Sequence, residues 1–236
     1  MAGAGSALVM VLAFFIPSLE DQWDRYQSRR VIEQYEQLGN DLNKEESYDM
    51  AEQAYAKAFE LSENKRLDLD VLRLKAKINR INMNSTWGAK PPEDLQEIDF
   101  QYVLHMQKEE KDQKDRVETL NSYGIFLASS GKLKESEKIL KEAAALDSDD
   151  ATAYINLGNL YDQQNKKNDA MQSYLKAIAI DKTSARAHYN LGLLYAEKNE
   201  LIKAQEEFMQ VLKNDSTDAD AKAQLLLINN ALNQEK

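Results

Sequence analysis

The chain has 236 residues and carries 40 Asp and Glu against 30 Lys and Arg, a net charge of −10. That balance argues against nucleic acid as a partner, because displacing counterions from phosphates needs a cationic face. There is no cysteine and there are only two histidines, His105 and His188, so disulfides, thiolate metal sites and a cysteine nucleophile are excluded. No histidine cluster, glycine-rich phosphate loop or serine elbow appears. The expectation is a protein that is not an enzyme and has no cofactor and no metal.

Residues 1–19 contain no charged side chain, and Ala7 to Ile16 are almost continuously apolar. As a helix the segment would reach roughly 28 Å, close to the hydrocarbon thickness of a bilayer. Trp23 and Tyr26 follow where interfacial aromatics sit. No Lys or Arg precedes the apolar run and no A-x-A-like site follows it, which favours a retained transmembrane anchor. A cleaved signal with a secreted or periplasmic repeat protein, and a segment buried in a membrane complex of which this chain is a structural subunit, are the alternatives. Arg25, Arg29 and Arg30 all follow the span and place the remainder on the cytoplasmic side by the positive-inside rule, a small vote from three residues. Pro17, and Ser18 with Asp21 three residues on, read as a helix start. No breaker stands before Gly39, so 20–31 is predicted to be a helical linker leading into the first repeat.

From residue 32 onward a 34-residue unit can be laid on the chain. In 32–65 its marked positions are Tyr35, Leu38, Gly39, Leu42, Ala51, Tyr55 and Ala58. The stretch 66–116 fits poorly; Leu67, Val71, Leu74 and Ile78, then Val103 and Met106, have helical spacing. It reads as a degenerate helix pair with an enlarged loop at 84–94, where Trp87 is a candidate anchor for a partner. Three further units follow at 117–150, 151–184 and 185–218. Gly124, Gly158 and Gly192 are spaced by 34, as are Asp147, Asp181 and Asp215. A period of this size is the mark of a helical solenoid.

A glycine inside a helix costs about 1 kcal/mol relative to alanine, so close helix contact is the expected reason for it. Ala170 and Ala204 let the second helix of a pair approach, and Tyr154, Tyr161 and Tyr174 fill the remaining space. Gly131, Asn165 and Asn199 share a turn position that tolerates left-handed backbone. Residues 219–236 begin like another first helix and are predicted to cap the array with Leu225, Leu226, Ile228 and Leu232, while Lys222, Gln224 and Asn229 face water.

At these residues the chain resembles the tetratricopeptide repeat family. The resemblance implies an all-α fold, a solenoid of stacked antiparallel helix pairs, and function as an adaptor or scaffold for other proteins. It also implies that the first helix of each pair lines a concave groove. That groove would carry Asn121, Ile125, Ile155, Asn159, Asp162, Arg186, Tyr189 and Leu193, an apolar surface edged by amides. Asn159 and Asn190 match two positions of the clamp by which some members hold acidic chaperone tails. Ile155 stands where that clamp needs a lysine and Asp220 opposes a carboxylate, so the expected partner is an apolar or amphipathic helical segment, basic if charged.

Overall fold

The computed structural model describes residues 17–62, 66–83, 90, 93–109 and 113–234. Among them are eleven α-helices and no strand: α1 Pro17–Lys44, α2 Tyr48–Leu61, α3 Leu67–Met83, α4 Glu97–Met106, α5 Lys114–Ser129, α6 Leu133–Leu146, α7 Ala151–Gln163, α8 Lys167–Ile180, α9 Ala185–Glu197, α10 Leu201–Asn214 and α11 Ala219–Gln234. They form two compact units, one ending at Met83 and the other holding α4 to α11. The boundary between them falls inside the stretch 66–116.

In the first unit α1 runs unbroken from Pro17 through Gly39, as the absence of a breaker predicts. It packs on α2, and α2 on α3, around Ala51, Tyr55 and Ala76, with Leu42 and Leu72 at the margin. Val71, Leu74 and Ile78 turn inward, whereas Leu67 and Leu38 stay about half exposed. Arg66 reaches Glu36 at 3.1 Å and Arg80 reaches Asp49 at 2.7 Å, tying α1 to the start of α3 and α2 to its end.

In the second unit α5 to α10 are three antiparallel pairs, and α11 packs against α10. α4 lies on α5, where the Phe100 ring sits 5.0 Å from both Tyr123 and Phe126. Glu97 at the start of α4 accepts from the Tyr123 hydroxyl at 2.8 Å and is paired with Lys132. Met106, placed by its spacing on the same apolar face as Val103, is partly exposed while Val103 is fully buried.

The repeat has a common local geometry in both units. Each first helix ends in a residue with positive φ: Glu46 at 59°, Gly131 at 79°, Asn165 at 58° and Asn199 at 58°. In each case the next N–H reaches back to the carbonyl five residues earlier, as in Ser47 to Leu42, Lys132 to Leu127, Lys166 to Tyr161 and Glu200 to Tyr195. This 6→1 bond closes the helix and turns the chain toward its partner helix. Asp147, Asp181 and Asp215 then close the units, their side chains accepting the N–H two residues on at 2.8–3.0 Å.

The glycine prediction has a direct geometric reason. A Cβ at Gly39 would lie 2.6 Å from the Tyr55 ring, at Gly158 it would overlap the Tyr174 ring, at Gly124 the Leu140 side chain, and at Gly192 it would meet Phe208 at 3.0 Å. One position of every repeat is therefore crossed by a large side chain sixteen residues later. The predicted cap is corrected at two residues: Ala221 and Ile228 are buried and Leu225 and Leu232 partly so, but Leu226, which was expected to cover the array, is 61% exposed, and Asn229, expected to face water, is partly buried and accepts from Gln205 at 2.6 Å.

Candidate functional site

The expected groove positions fall into a closed part and an open part. Asn121, Ile125, Ile155 and Asn159 are all less than a tenth exposed. Ile155 belongs to the core with Tyr174, Ala187 and Leu191, so it is corrected from a contact residue to a packing residue. Adjacent first helices stack closely enough here that their facing side chains cover one another.

The buried amides are already in use. Asn121 donates to Asp150 Oδ2 at 3.1 Å and accepts from Asn156 at 3.2 Å, which links α5 to α7. Asn159 Oδ1 accepts from the Tyr174 hydroxyl at 2.6 Å and from Asn190 at 2.8 Å, which joins α7, α8 and α9 at one atom. In the first unit the Tyr55 hydroxyl donates to Asn40 Oδ1 at 2.9 Å at the same repeat positions. The other two repeats have apolar pairs there, Ile125 with Leu140 and Leu193 with Phe208. The sequence does contain this signal: tyrosine and asparagine occur together, or neither does.

Burial pushes the hydroxyls of Tyr55 and Tyr123 up to about 12 and that of Tyr174 higher still, with nearby carboxylates adding to the effect. A tyrosine whose folded pKa exceeds its unfolded value near 10 contributes stability that is complete below pH 10 and lost as pH rises through 12. The urea midpoint is therefore expected to hold steady to about pH 10 and then fall, with the part of the tyrosinate absorbance that belongs to these buried hydroxyls appearing together with unfolding. Tyrosinate absorbance that saturates at pH 10 while the chain stays folded would contradict this.

The open part lies toward the end of the unit. Arg186 is exposed, Tyr189, Leu193 and Ala196 are partly exposed on α9, and Ala223 and Leu227 are exposed on α11. The Tyr189 ring is held edge-on to Phe208 at 5.6 Å, so its orientation is preset by the core. Asp162 is matched by Lys167 at 2.7 Å, and the same ammonium reaches Glu197 at 2.6 Å. Two of the carboxylates at this edge thus share one cation.

His188 is buried as expected, but it is also bonded: Nδ1 lies 2.7 Å from Glu207 Oε2 and Nε2 lies 3.1 Å from the Lys182 carbonyl. A cleft of about 250 Å³ opens between α7 and α8 over Tyr154 and Tyr161, with Lys176 Nζ 4.2 Å from the Tyr154 ring centre. No group of His, Asp and Glu suited to a metal occurs among the described residues. Trp87 and the apolar residues 1–16 lie outside the described residues, and Trp23 and Tyr26 lie where α1 is described by its backbone alone. Among the described residues no helix is long and apolar enough to cross a membrane.

Residues 158–199 match a TPR repeat family model, and residues 185–218 match a tetratricopeptide repeat model. No curated protein matches the chain in sequence. Among solved structures, the chain is similar to PilF of Pseudomonas aeruginosa, with a TM-score of 0.62 and 16% identity over 89% of this chain and 87% of that one. It is also similar to TTC0263, a thermophilic TPR protein of Thermus thermophilus, with a TM-score of 0.54 and 16% identity over 84% and 98% of the two chains. A third similar structure is the MamA protein, with a TM-score of 0.54 and 21% identity over 80% and 94%. At these identities the likeness is one of fold: an all-α stack of tetratricopeptide-like helix pairs.

Proposed function

We propose that this chain is a non-enzymatic adaptor that holds an apolar face of a helical segment from a partner protein along the open end of its groove. Tetratricopeptide repeats generally mediate contacts between proteins, and the observation that carries the reading here is one strip of side chains. Tyr189, Leu193 and Ala196 on α9 are partly exposed, and Ala223 and Leu227 at the matching repeat positions of α11 are exposed. Apolar side chains at the spacing of a helix face suit an amphipathic helix laid across them. With Asp220 exposed at this edge in a chain of net charge −10, a segment with basic flanks suits it better than an acidic one. The uncharged residues 1–19 are the proposed means by which the adaptor is held at a membrane.

The test is selection of amphipathic helical peptides on the full chain, followed by Leu193→Glu and Leu227→Glu. Leu227→Glu, at a 61% exposed side chain, is expected to weaken the selected peptides about tenfold or more while the urea midpoint stays put, and Leu193→Glu to weaken them as strongly but with a lowered midpoint, because Leu193 also packs on the core around Phe208. Affinity that is indifferent to both substitutions would sink the groove as the binding surface. Ile155 is unsuited to this experiment, because a charge there would be buried in the core.

A further inference from the structure

The cleft between α7 and α8 lies in the middle of the second unit, away from the groove, and one small residue explains it. It opens over Tyr154, Leu157 and Tyr161 and is edged by Asp169, Ser173 and Lys176, about 250 Å³ in all. The neighbouring repeats fill the same place with their own side chains. In the repeat before, Ile139 stands at the position of Ser173 and packs on the core, and Glu142, at the position of Lys176, pairs with Arg116 at 3.3 Å. In the repeat after, Glu207 stands at the position of Ser173, and its carboxylate lies 2.7 Å from His188, the counterpart of Tyr154. Ser173 is too short for either role, and its hydroxyl donates back to the Asp169 carbonyl at 2.8 Å.

The repeats on either side therefore show what this space accepts: an aliphatic side chain in one, a carboxylate in the other. Lys176 supplies the matching charge. Its ammonium stands 4.2 Å from the Tyr154 ring centre, and among the described residues no carboxylate pairs with it. Asp169 is seven residues away on the same helix, about 10 Å along its axis. The net charge of −10 does not decide the matter, because salt screens charges beyond about 8–10 Å. Around the cleft Lys141, Lys166 and Lys176 stand against Glu137 and Asp169. A space smaller than the roughly 300–1,000 Å³ of drug-sized pockets suits a side chain better than a cofactor.

We propose that this cleft takes a glutamate side chain from a partner protein, its stem on Leu157 and its carboxylate on Lys176 Nζ. The incoming residue does from outside what Glu207 does from within the next repeat. The site is independent of the groove, so one adaptor presents two recognition surfaces of opposite charge preference.

The full chain with isotopically labelled leucine methyls, titrated with N-acetylglutamate N-methylamide, is expected to show saturable shifts at Leu157. The glutamine analogue is expected to bind about tenfold or more weakly, and Lys176→Gln to lose the same factor, since a charge-assisted bond is removed in each case. Ser173→Glu supplies the carboxylate from α8 itself and is expected to abolish binding without lowering the urea midpoint. Leu227→Glu, which tests the groove, is expected to leave binding unchanged, so the two readings fail separately. Absence of a saturable shift at Leu157, equal binding of the glutamine analogue, or binding that survives both Lys176→Gln and Ser173→Glu overturns the proposal. Tighter binding of free glutarate than of the blocked glutamate also overturns it, by assigning the cleft to a small dicarboxylate.

Discussion

Asn159→Leu is expected to destabilise the protein by about 2–4 kcal/mol, since a buried donor left without its acceptor costs roughly 1–3 kcal/mol and two donors converge on this atom. The Tyr174 hydroxyl bears the larger share, because its side chain is 2% exposed whereas Asn190 is partly open to water. The informative experiment is the double variant with Tyr174→Phe. It removes the orphaned hydroxyl and recreates the apolar pairing already present as Leu193 with Phe208 and, with aliphatic side chains, as Ile125 with Leu140. The double variant is expected to recover about 1–3 kcal/mol of the loss, a coupling readable in a double-mutant cycle of urea midpoints. Additive effects would mean that the hydrogen bond does not govern the choice of residues at these positions.

Gly158→Ala is expected to lose about 1–3 kcal/mol by overpacking, although alanine is the better helix former by about 1 kcal/mol. Two opposing effects meet here, and geometry decides between them. The added methyl overlaps the edge of the Tyr174 ring, and that ring cannot swing aside without breaking its 2.6 Å bond to Asn159. Gly192→Ala serves as the internal control. Its nearest neighbour is Phe208 at 3.0 Å, with no hydroxyl to anchor it, so a shift of a few tenths of an ångström relieves the contact. Its effect is expected to lie near zero. Urea midpoints ordered the other way would show that helix propensity outweighs the close approach.

The 34-residue period was enough to locate the helices of four repeats, the left-handed turns of three of them and the glycines where paired helices touch; the fourth turn, at Glu46, carries no glycine or asparagine to signal it. Each of these depends on neighbours along the chain or on one partner helix at a constant separation. The run from Pro17 through Gly39 was legible for a similar reason: no residue in it interrupts a helix. Helical spacing also separated Val71, Leu74 and Ile78 from the solvated face of α3, since one face of one helix is a local property.

What stayed hidden depends on how pairs stack. Sequence position assigned Ile125, Ile155, Tyr189 and Leu193 to the same groove, but the first two are covered by adjoining helices and the last two are not. Periodicity states which way a side chain points; only the stacking states whether another helix stands there. Leu226 shows the converse, an apolar residue expected to be covered and left open because the glycine position it occupies faces outward at the end of the unit. The division after Met83 belongs to the same class, because helical spacing in 66–116 identifies two helices without indicating that they join different cores. The period and the turns were therefore determined by sequence alone, through local backbone preference and one repeated contact. The open edge of the groove, the shared acceptor on Asn159 and the exposed terminal face were decided by the tertiary structure, because burial and hydrogen-bond partners are set by helices distant in sequence.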